Sequence, residues 1–478
     1  MARKGLGTYI PVGIIILSLY LVYFWYSNLV FVDTNAGVER HQNDFLGVIK
    51  EDTRTKGDGP YITANRRLTY TTNVLTLTLA NNKSHYERQQ IESSLLHEFS
   101  PDIEDRVRNL FINDTGDNDQ LEFHVISPAI LPYKGNIMVV ARVWLNYERR
   151  YHIRDKEMNR WIDNYLYTQM FDGNMRPLSS GNILGIPVPV QYSLNTGCSD
   201  ARIFNWMGSL MILFYMAMKD NEGTDIGHLF ILDYDRNILR KPKIVDHKIA
   251  NIDSNWSPLV IDDSLHFVYT LDPLRILKCL KDVHMDIICH FVTSLDTTLQ
   301  KYPFDVHRDI LRGGSPFMPY KESYFISVAH STLTYFTPEQ DMPHPVYGAH
   351  IVLLKVYPFR IIHVSEPFKI HPRIYDNIPL VRKHFILAPF FYPTGLIVEN
   401  SDTIDIGVHI NDYRAFIVRV TGIENILNKA MKSDSRNDDS MVTSRPRFIQ
   451  DFVKLSLRKS HFNQTWTIEE QNGKQIIS

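Results

Sequence analysis

Between Leu121 and Gly422 the apolar residues come in short runs, too brief for helices and too regular for loops. Ile137–Val143, Leu210–Tyr215, His228–Leu232, Leu265–Thr270, Tyr324–Val328, Ile351–Val356 and Thr403–Val408 are rich in β-branched and aromatic residues. Turn-forming residues separate them, so each reads as a strand. Long stripes at helical spacing are almost absent, which argues against a doubly wound α/β architecture.

A repeat organises these strands. A polar residue beside Pro or a small residue opens one strand, a turn follows, and an apolar strand comes next. The instances begin at Ser127-Pro128, Asp200-Ala201, Trp256-Ser257-Pro258, Gly314-Ser315-Pro316 and Tyr392-Pro393, about 56 to 78 residues apart. Radial repetition of small sheets produces this pattern. The expected fold is all-β: a five-bladed β-propeller over residues 121–425, with the first strand of each blade lining a central channel. It is preceded by a transmembrane helix and a short, partly helical stem. A pair of packed sheets is the other all-β solution.

The anchor is read from residues 5–32, which carry no charge and directly follow Arg3 and Lys4. A bilayer core needs about 20 such residues. The basic flank puts the N-terminus in the cytosol and the remainder across the membrane, and Tyr20, Tyr23, Phe24, Trp25 and Tyr26 suit an interfacial belt. Residues 1–8 are then a cytosolic tail, 9–32 the anchor, 33–120 a stem with short helices, and 426–478 a partly disordered C-terminal extension. The stem is polar and irregular to about Lys83; Ser100-Pro101-Asp102-Ile103-Glu104 is a helix start, with an N-cap Ser, Pro in the first turn and acids at the positive end of the dipole. Lys432 to Ser440 reads as a loop or disordered strip.

Asn82, Asn113 and Asn463 are candidate glycosylation sites, consistent with the secretory pathway. Asn255 is also in a sequon, but its Trp-Ser-Pro context reads as a buried motif. A net charge of −2 without a long basic run argues against nucleic-acid binding. Three cysteines cannot form a disulfide scaffold, so a large core must carry stability. Cys279 and Cys289 either pair across a hairpin or remain buried thiols with Cys198. No Cys/His spacing fits a zinc site. His228-Leu-Phe-Ile-Leu-Asp-Tyr-Asp235 has the strand-then-Asp-x-Asp form of a metal-dependent sugar transferase, but lacks the α/β surroundings, so it reads as a hairpin turn. Neither a metal nor a cofactor is expected.

The repeats carry unusual polar groups for inner strands: Asp200 and Arg202, Asn255, Arg275, Arg312, His330 and Asp412. Strand interiors rarely hold unpaired charges. Converging on a channel mouth, such groups suit a polyhydroxylated, anionic ligand, because guanidinium forks grip phosphate. Gly313-Gly314 beside Arg312 permits close backbone approach.

In order, these residues resemble a known group. Asp200-Ala-Arg-Ile is similar to the Asp-Pro-Arg-Ile/Val element of five-bladed propeller enzymes acting on β-mannosides, the mannoside phosphorylases and the related β-mannosyltransferases. Asn255-Trp-Ser-Pro, Tyr269 to Arg275, Arg312-Gly-Gly-Ser-Pro, Pro393-Thr-Gly-Leu and Ile410-Asn-Asp412 resemble the later blades. Ala201 stands where Pro is usual, and Cys198-Ser199 replaces a frequent acidic residue. The resemblance implies that Asp200 is the protonic catalyst, that Arg275, Arg312 and His330 stabilise a departing phosphate or diphosphate, and that Asp412 binds sugar hydroxyls. With the anchor, it implies a type II Golgi glycosyltransferase that makes an inverted, β-mannosidic linkage between an activated-sugar donor and a glycan acceptor. A hydrolase or phosphorylase on the same fold, or a glycan-binding propeller without chemistry, are the other readings.

Overall fold

The structure is a computed structural model that describes residues 69–80, 83–99, 103–109, 123–145, 164–187, 193–219, 225–245, 254–282, 286–293, 311–337, 340–380, 388–435, 449, 452–456, 468–471 and 474–477. The apolar segment 5–32 and the sequons at Asn82, Asn113 and Asn463 lie outside the described residues. Among the described residues no helix is long and apolar enough to cross a membrane. The chain divides into Met1–Thr63 and Ala64–Ser478; the following concerns the second body alone.

The described chain is mostly β and forms five successive antiparallel modules. The first comprises Phe123–Tyr133, Asn136–Leu145, Asn164–Phe171 and Asn182–Ile183. The second comprises Ser193–Trp206, Ser209–Lys219, Asp225–Asp233 and Ile238–Arg240. The third comprises Ser257–Ile261, Ser264–Leu271, Leu274–Lys281 and Ile287–Phe291. The fourth comprises Met318–Lys321, Tyr324–Thr337, Gln340–Lys355 and Arg360–Ser365. The fifth takes Phe391–Val398, Thr403–Ile410 and Arg414–Thr421 from late in the chain and completes itself with the early strand Lys83–Glu98. Tight turns make the meanders. Lys134-Gly135, Met207-Gly208 and Asp262-Asp263 each place two residues at positive φ, the geometry whose twist matches paired strands.

Apolar layers separate the modules and define their order in space. Val140 and Ala129 of the first face Ile212 and Phe214 of the second. Phe204 and Leu213 meet Phe267 and Leu277 of the third. Leu259 and Val268 meet Val352 and Leu354 of the fourth. Ile326 and Ile351 meet Ile406 and Val418 of the fifth. Ile397 and Ile417 of the fifth return to Val125 and Val139 of the first. The layers therefore run round a closed, propeller-like ring of curled sheets, and burial of these faces is its main driving force.

Glycine sets the spacing at the last seam. A Cβ on Gly407 would lie 2.0 Å from the Pro128 carbonyl oxygen, and one on Gly395 would lie 2.5 Å from the Ile130 nitrogen. The fifth module can approach the first only because these side chains are missing.

Three sequence expectations are corrected. Residues 69–83 are not irregular: Thr69–Ala80 and Lys83–Glu98 form a long hairpin whose arms pair with Arg360–Ser365 and Arg414–Thr421. Its apolar residues fall on both faces, Val74 in the fourth–fifth layer and Leu77 and Leu79 in the third–fourth, so no simple alternation marks it. The last strand of the ring ends at Thr421, and the helix Ile423–Ser435 runs across the expected boundary at 425, packing Ile423, Ile426, Leu427 and Ala430 into the fourth–fifth layer. Nor is Lys432 to Ser435 loop: Asp434, buried, takes hydrogen bonds from Lys355 Nζ and the Tyr324 hydroxyl, both at 2.9 Å, and an ion pair from Arg360. Residues 103–109 are helical, beside the helix start read at Ser100.

Cys279 and Cys289, opposite one another on adjacent strands, form a disulfide, and Cys198 is a buried free thiol pushed up to about 12 by burial. Asp233 and Asp235 do sit in a hairpin turn. Asp233 accepts from the Arg236 guanidinium at 2.8 Å, and Asp235 from the Lys134 ammonium and the Leu210 amide, both at 3.2 Å.

Candidate active site

The first strands of the modules are interrupted where their polar repeat residues fall. Pairing slips between Ile126 and Ala129, between Ser199 and Arg202, and between Pro393 and Gly395. Ser127 and Asp200 occupy the slips at φ 51° and 53°, and Asn255 precedes its strand at φ 69°. Such bulges re-aim side chains out of the pleat, and non-glycine residues in this conformation cluster at functional sites. Here they turn side chains of different modules toward one another.

Asp200 is the accessible member, its side chain 29% exposed. Its Oδ1 is 3.4 Å from Arg142 Nη1 and 3.3 Å from the Ser127 hydroxyl. Arg142 is itself fixed by donating Nε–H to Asn164 Oδ1 at 2.6 Å and by stacking over Trp144. The carboxylate therefore meets solvent in a set orientation.

Tyr392 is the hub. Its hydroxyl donates to Asn255 Oδ1 at 3.0 Å, its ring stacks on His409 with centroids 5.1 Å apart, and His330 lies 4.4 Å away on tilted planes. Burial holds the phenol protonated, pushing its pKa above the usual tyrosine range, with the Asp200 charge adding to the effect. Burial also holds His330 neutral, far below the usual histidine range, helped by Arg312 and Arg202. His330 Nδ1 is buried with no hydrogen-bond partner among the described residues. Arg312, half-buried, lies opposite His330 on the short strand Leu311–Arg312.

Arg202 is fully buried. It donates Nε–H to the Gly314 carbonyl, Nη1–H to the Asp200 carbonyl at 2.8 Å and Nη2–H to Asn255 Oδ1 at 3.5 Å. Three modules are joined by one guanidinium. The Asn255 amide also donates to Ser254 at 3.0 Å, so its sequon side chain is engaged. Asp412, 4% exposed, accepts from His409 Nε2 at 2.9 Å.

Of the residues singled out by sequence, the structure gathers Asp200, Arg202, Asn255, Arg312 and His330 about Tyr392, and Asp412 joins them through His409. Arg275 stands elsewhere. Its motif bends through a turn at Asp272-Pro273, so it begins the third strand of its module instead of lining the first, and its guanidinium packs 3.9 Å over the Phe291 ring and 5.3 Å from Tyr269. Sequence reasoning missed Ser127, Arg142, Tyr392 and His409 as site residues. Arg142 had a visible signal, a lone charge inside the apolar run Ile137–Val143. Among the described residues no cluster of acids, histidines or cysteines is disposed to hold a metal.

An accessible carboxylate with a fixed neighbour can exchange a proton with a bound hydroxyl group, and cationic side chains beside it can stabilise a departing anion. The chain matches no family model. It is 29% identical over 100 residues to Beta-mannosyltransferase 2 of Komagataella phaffii, a stretch covering 19% of this chain and 15% of that protein. Similar solved structures are mannoside phosphorylases and glycoside hydrolases. A glycosyl hydrolase from Bacteroides ovatus is 14% identical, covering 62% of this chain and 84% of its own, with a TM-score of 0.40. The β-1,2-mannobiose phosphorylase of Listeria innocua is 13% identical, covering 66% and 94%, also at 0.40. A mannose phosphorylase from Leishmania mexicana is 13% identical, covering 68% and 94%, at 0.35.

Proposed function

We propose that the chain is a carbohydrate-active enzyme on a five-bladed β-propeller: a type II membrane glycosyltransferase that forms a β-mannosidic linkage with inversion. The observation that carries this reading is Asp200, an accessible carboxylate oriented by Arg142 and Ser127, with the cation of Arg312 opposite His330 in the same group of side chains about Tyr392. In the forward reaction an acceptor hydroxyl oxygen attacks the anomeric carbon and its proton passes to Asp200. The bond from the anomeric carbon to the phosphate oxygen breaks, and the phosphate leaves with the electron pair, stabilised by Arg312. Inversion needs only this one protonic group, because attack and departure lie on opposite faces.

The match to a β-mannosyltransferase supports this direction. So does the apolar segment 5–32, which suits an anchor with the ring on the Golgi lumenal side. The Cys279–Cys289 disulfide agrees with an oxidising compartment. The test is direct. Detergent-solubilised full-length protein is incubated with a nucleoside-diphosphate mannose and a mannan oligosaccharide, and separately with β-mannosides and inorganic phosphate. Extension of the oligosaccharide is the expected product. Release of mannose 1-phosphate from the second mixture alone would reassign the protein as a phosphorylase, and no product in either would reject the reading.

A further inference from the structure

His409 stands between two acceptor groups. It is buried, 3% exposed, with Nε2 at 2.9 Å from Asp412 Oδ1 and Nδ1 at 3.1 Å from the Ser127 hydroxyl. The same hydroxyl lies 3.3 Å from Asp200 Oδ1. Ser127 is completely buried, so this serine–histidine–aspartate series has no nucleophile facing a substrate. The Tyr392 ring stacks on the imidazole, the Phe390 ring meets its edge at 6.0 Å, and His330 lies beyond Tyr392. The charges around the series are Asp412, Asp200, Arg142 on Asp200, and Arg202 and Arg312 beside Tyr392.

Proton counting restricts the states of this series. The Asp412 carboxylate requires a proton on Nε2, so Nδ1 is an acceptor whenever the imidazole is neutral. Ser127 owns one proton and faces both Nδ1 and Asp200. If it donates to Nδ1, its oxygen lone pairs face Asp200, and that contact is favourable only when Asp200 is protonated and donates. If it donates to Asp200, Nδ1 must carry a proton and donate to Ser127. Both arrangements hold the same single proton, at opposite ends.

We infer that Asp200 and His409 share one proton through the Ser127 hydroxyl, with Asp412 stabilising the imidazolium. Resting on the proposed function, this makes His409 and Ser127 positioning residues for the transfer. The shared proton is the acceptor's own: before transfer Asp200 is a carboxylate and His409 is neutral, then the proton arrives on Asp200, Asp200 donates to Ser127 as Ser127 donates to Nδ1, and the carboxylate is regenerated as His409 becomes cationic. The reverse shift returns the proton to Asp200, whose exposed edge releases it to water. Asp412 is thereby given a role behind the site, where the resemblance implied sugar binding.

The test needs no sugar. Full-length protein labelled with 15N-histidine reports, by ring nitrogen shifts, the fraction of His409 carrying both ring protons at one mildly acidic pH. Asp200→Asn supplies an amide that donates to Ser127 and turns its proton toward Nδ1, so this fraction should fall about tenfold. In a Ser127→Gly background, where glycine accepts the φ of 51° without strain, the same Asp200→Asn change should alter it less than about twofold. Ser127→Ala serves as a second breaker of the series. Equal responses with and without the hydroxyl would show direct coupling between charges and overturn the proposal; so would no response in either background. A Ser127→Gly enzyme should also lose kcat with KM retained and show a displaced pH profile, which simple loosening of the fold would not produce. Because the nitrogen shifts are read without substrate, failure of the relay and failure of the transferase reading are separate results.

Discussion

Arg202 in the second module donates its Nε–H to the backbone carbonyl of Gly314 in the fourth. A side chain of one sheet thus satisfies a backbone carbonyl in the segment that leads into a sheet two positions away. The same guanidinium reaches Asn255 of the third, so it closes the middle of the ring as the apolar layers close its circumference.

Removing it should be costly. Arg202→Ala leaves the Gly314 and Asp200 carbonyls buried without their donors, and a loss of about 3 kcal/mol is expected. Arg202→Lys retains the charge but cannot serve all three acceptors, so it should also lower Tm. Thermal unfolding of both variants measures this; wild-type stability in Arg202→Lys would mean the fork geometry is dispensable.

Asp200 should behave differently. Asp200→Asn is isosteric and lies at a partly exposed position, so its melting curve should match wild type while turnover falls by roughly two to four orders of magnitude. The check is product formation alongside circular dichroism. Full activity in this variant would refute the catalytic assignment.

Acid should destabilise the ring through a residue far from the site. His363, buried and 3.3 Å from Thr78 Oγ1, links the early hairpin to the fourth module, and burial lowers its pKa to about 3 from the ordinary 6.5. Unfolded chains therefore take up a proton that the native state refuses once the pH falls below 6.5, and stability is lost on the acid side. Going from there to about pH 5 should cost roughly 2 kcal/mol. Neutral, buried His330 acts in the same direction. Denaturant titrations at neutral and mildly acid pH should show a smaller loss for His363→Gln than for wild type.

The seam between the fifth and first modules should tolerate no added carbon. Gly407→Ala sets a methyl group against the Pro128 carbonyl, a backbone atom that cannot rotate away. Separation of the sheets should cost about 3 kcal/mol. Gly135→Ala, where a Cβ meets nothing within 4 Å but φ is 77°, should cost about 1 kcal/mol from backbone conformation alone. Chemical denaturation of the pair separates crowding from strain, and equal losses would contradict the crowding argument.

The disulfide makes its own small contribution. Cys279 and Cys289 are ten positions apart, and a loop of that size is worth about 2–3 kcal/mol. The Cys279→Ser/Cys289→Ser double variant should unfold earlier by that amount in the absence of reductant. Wild type should match it once reduced.

The strands most visible in the sequence are those whose two faces are both covered. Leu210–Tyr215 and Ile351–Val356 lie between neighbouring modules, so their residues are apolar almost throughout. Thr69–Ala80 escaped notice because its apolar residues are few and divided between two faces, and its outer partner Arg360–Ser365 stands almost 300 positions later, a pairing that no local pattern encodes. The site follows the same logic. Asp200, Arg202 and Arg312 were legible because charges in strands are rare. Tyr392 and His409 were not, because an aromatic or histidine in an apolar run is most often plain core, and only the ring's closure brings Tyr392 against Asn255 and His409 against Ser127. Arg275 misled because its guanidinium packs over the Phe291 and Tyr269 rings of its own module, on the third strand.

The clasp of this ring is made long before the ends it must join. Thr69–Ala80 and Lys83–Glu98 leave the ribosome early, yet Lys83–Glu98 finds its mate only after Arg414–Thr421 has been synthesised. Until then its amide edge is open to any passing strand. A premature stop ahead of the final sheet would therefore yield not a smaller wheel but a broken one with two adhesive rims, a burden for quality control and not a partial enzyme.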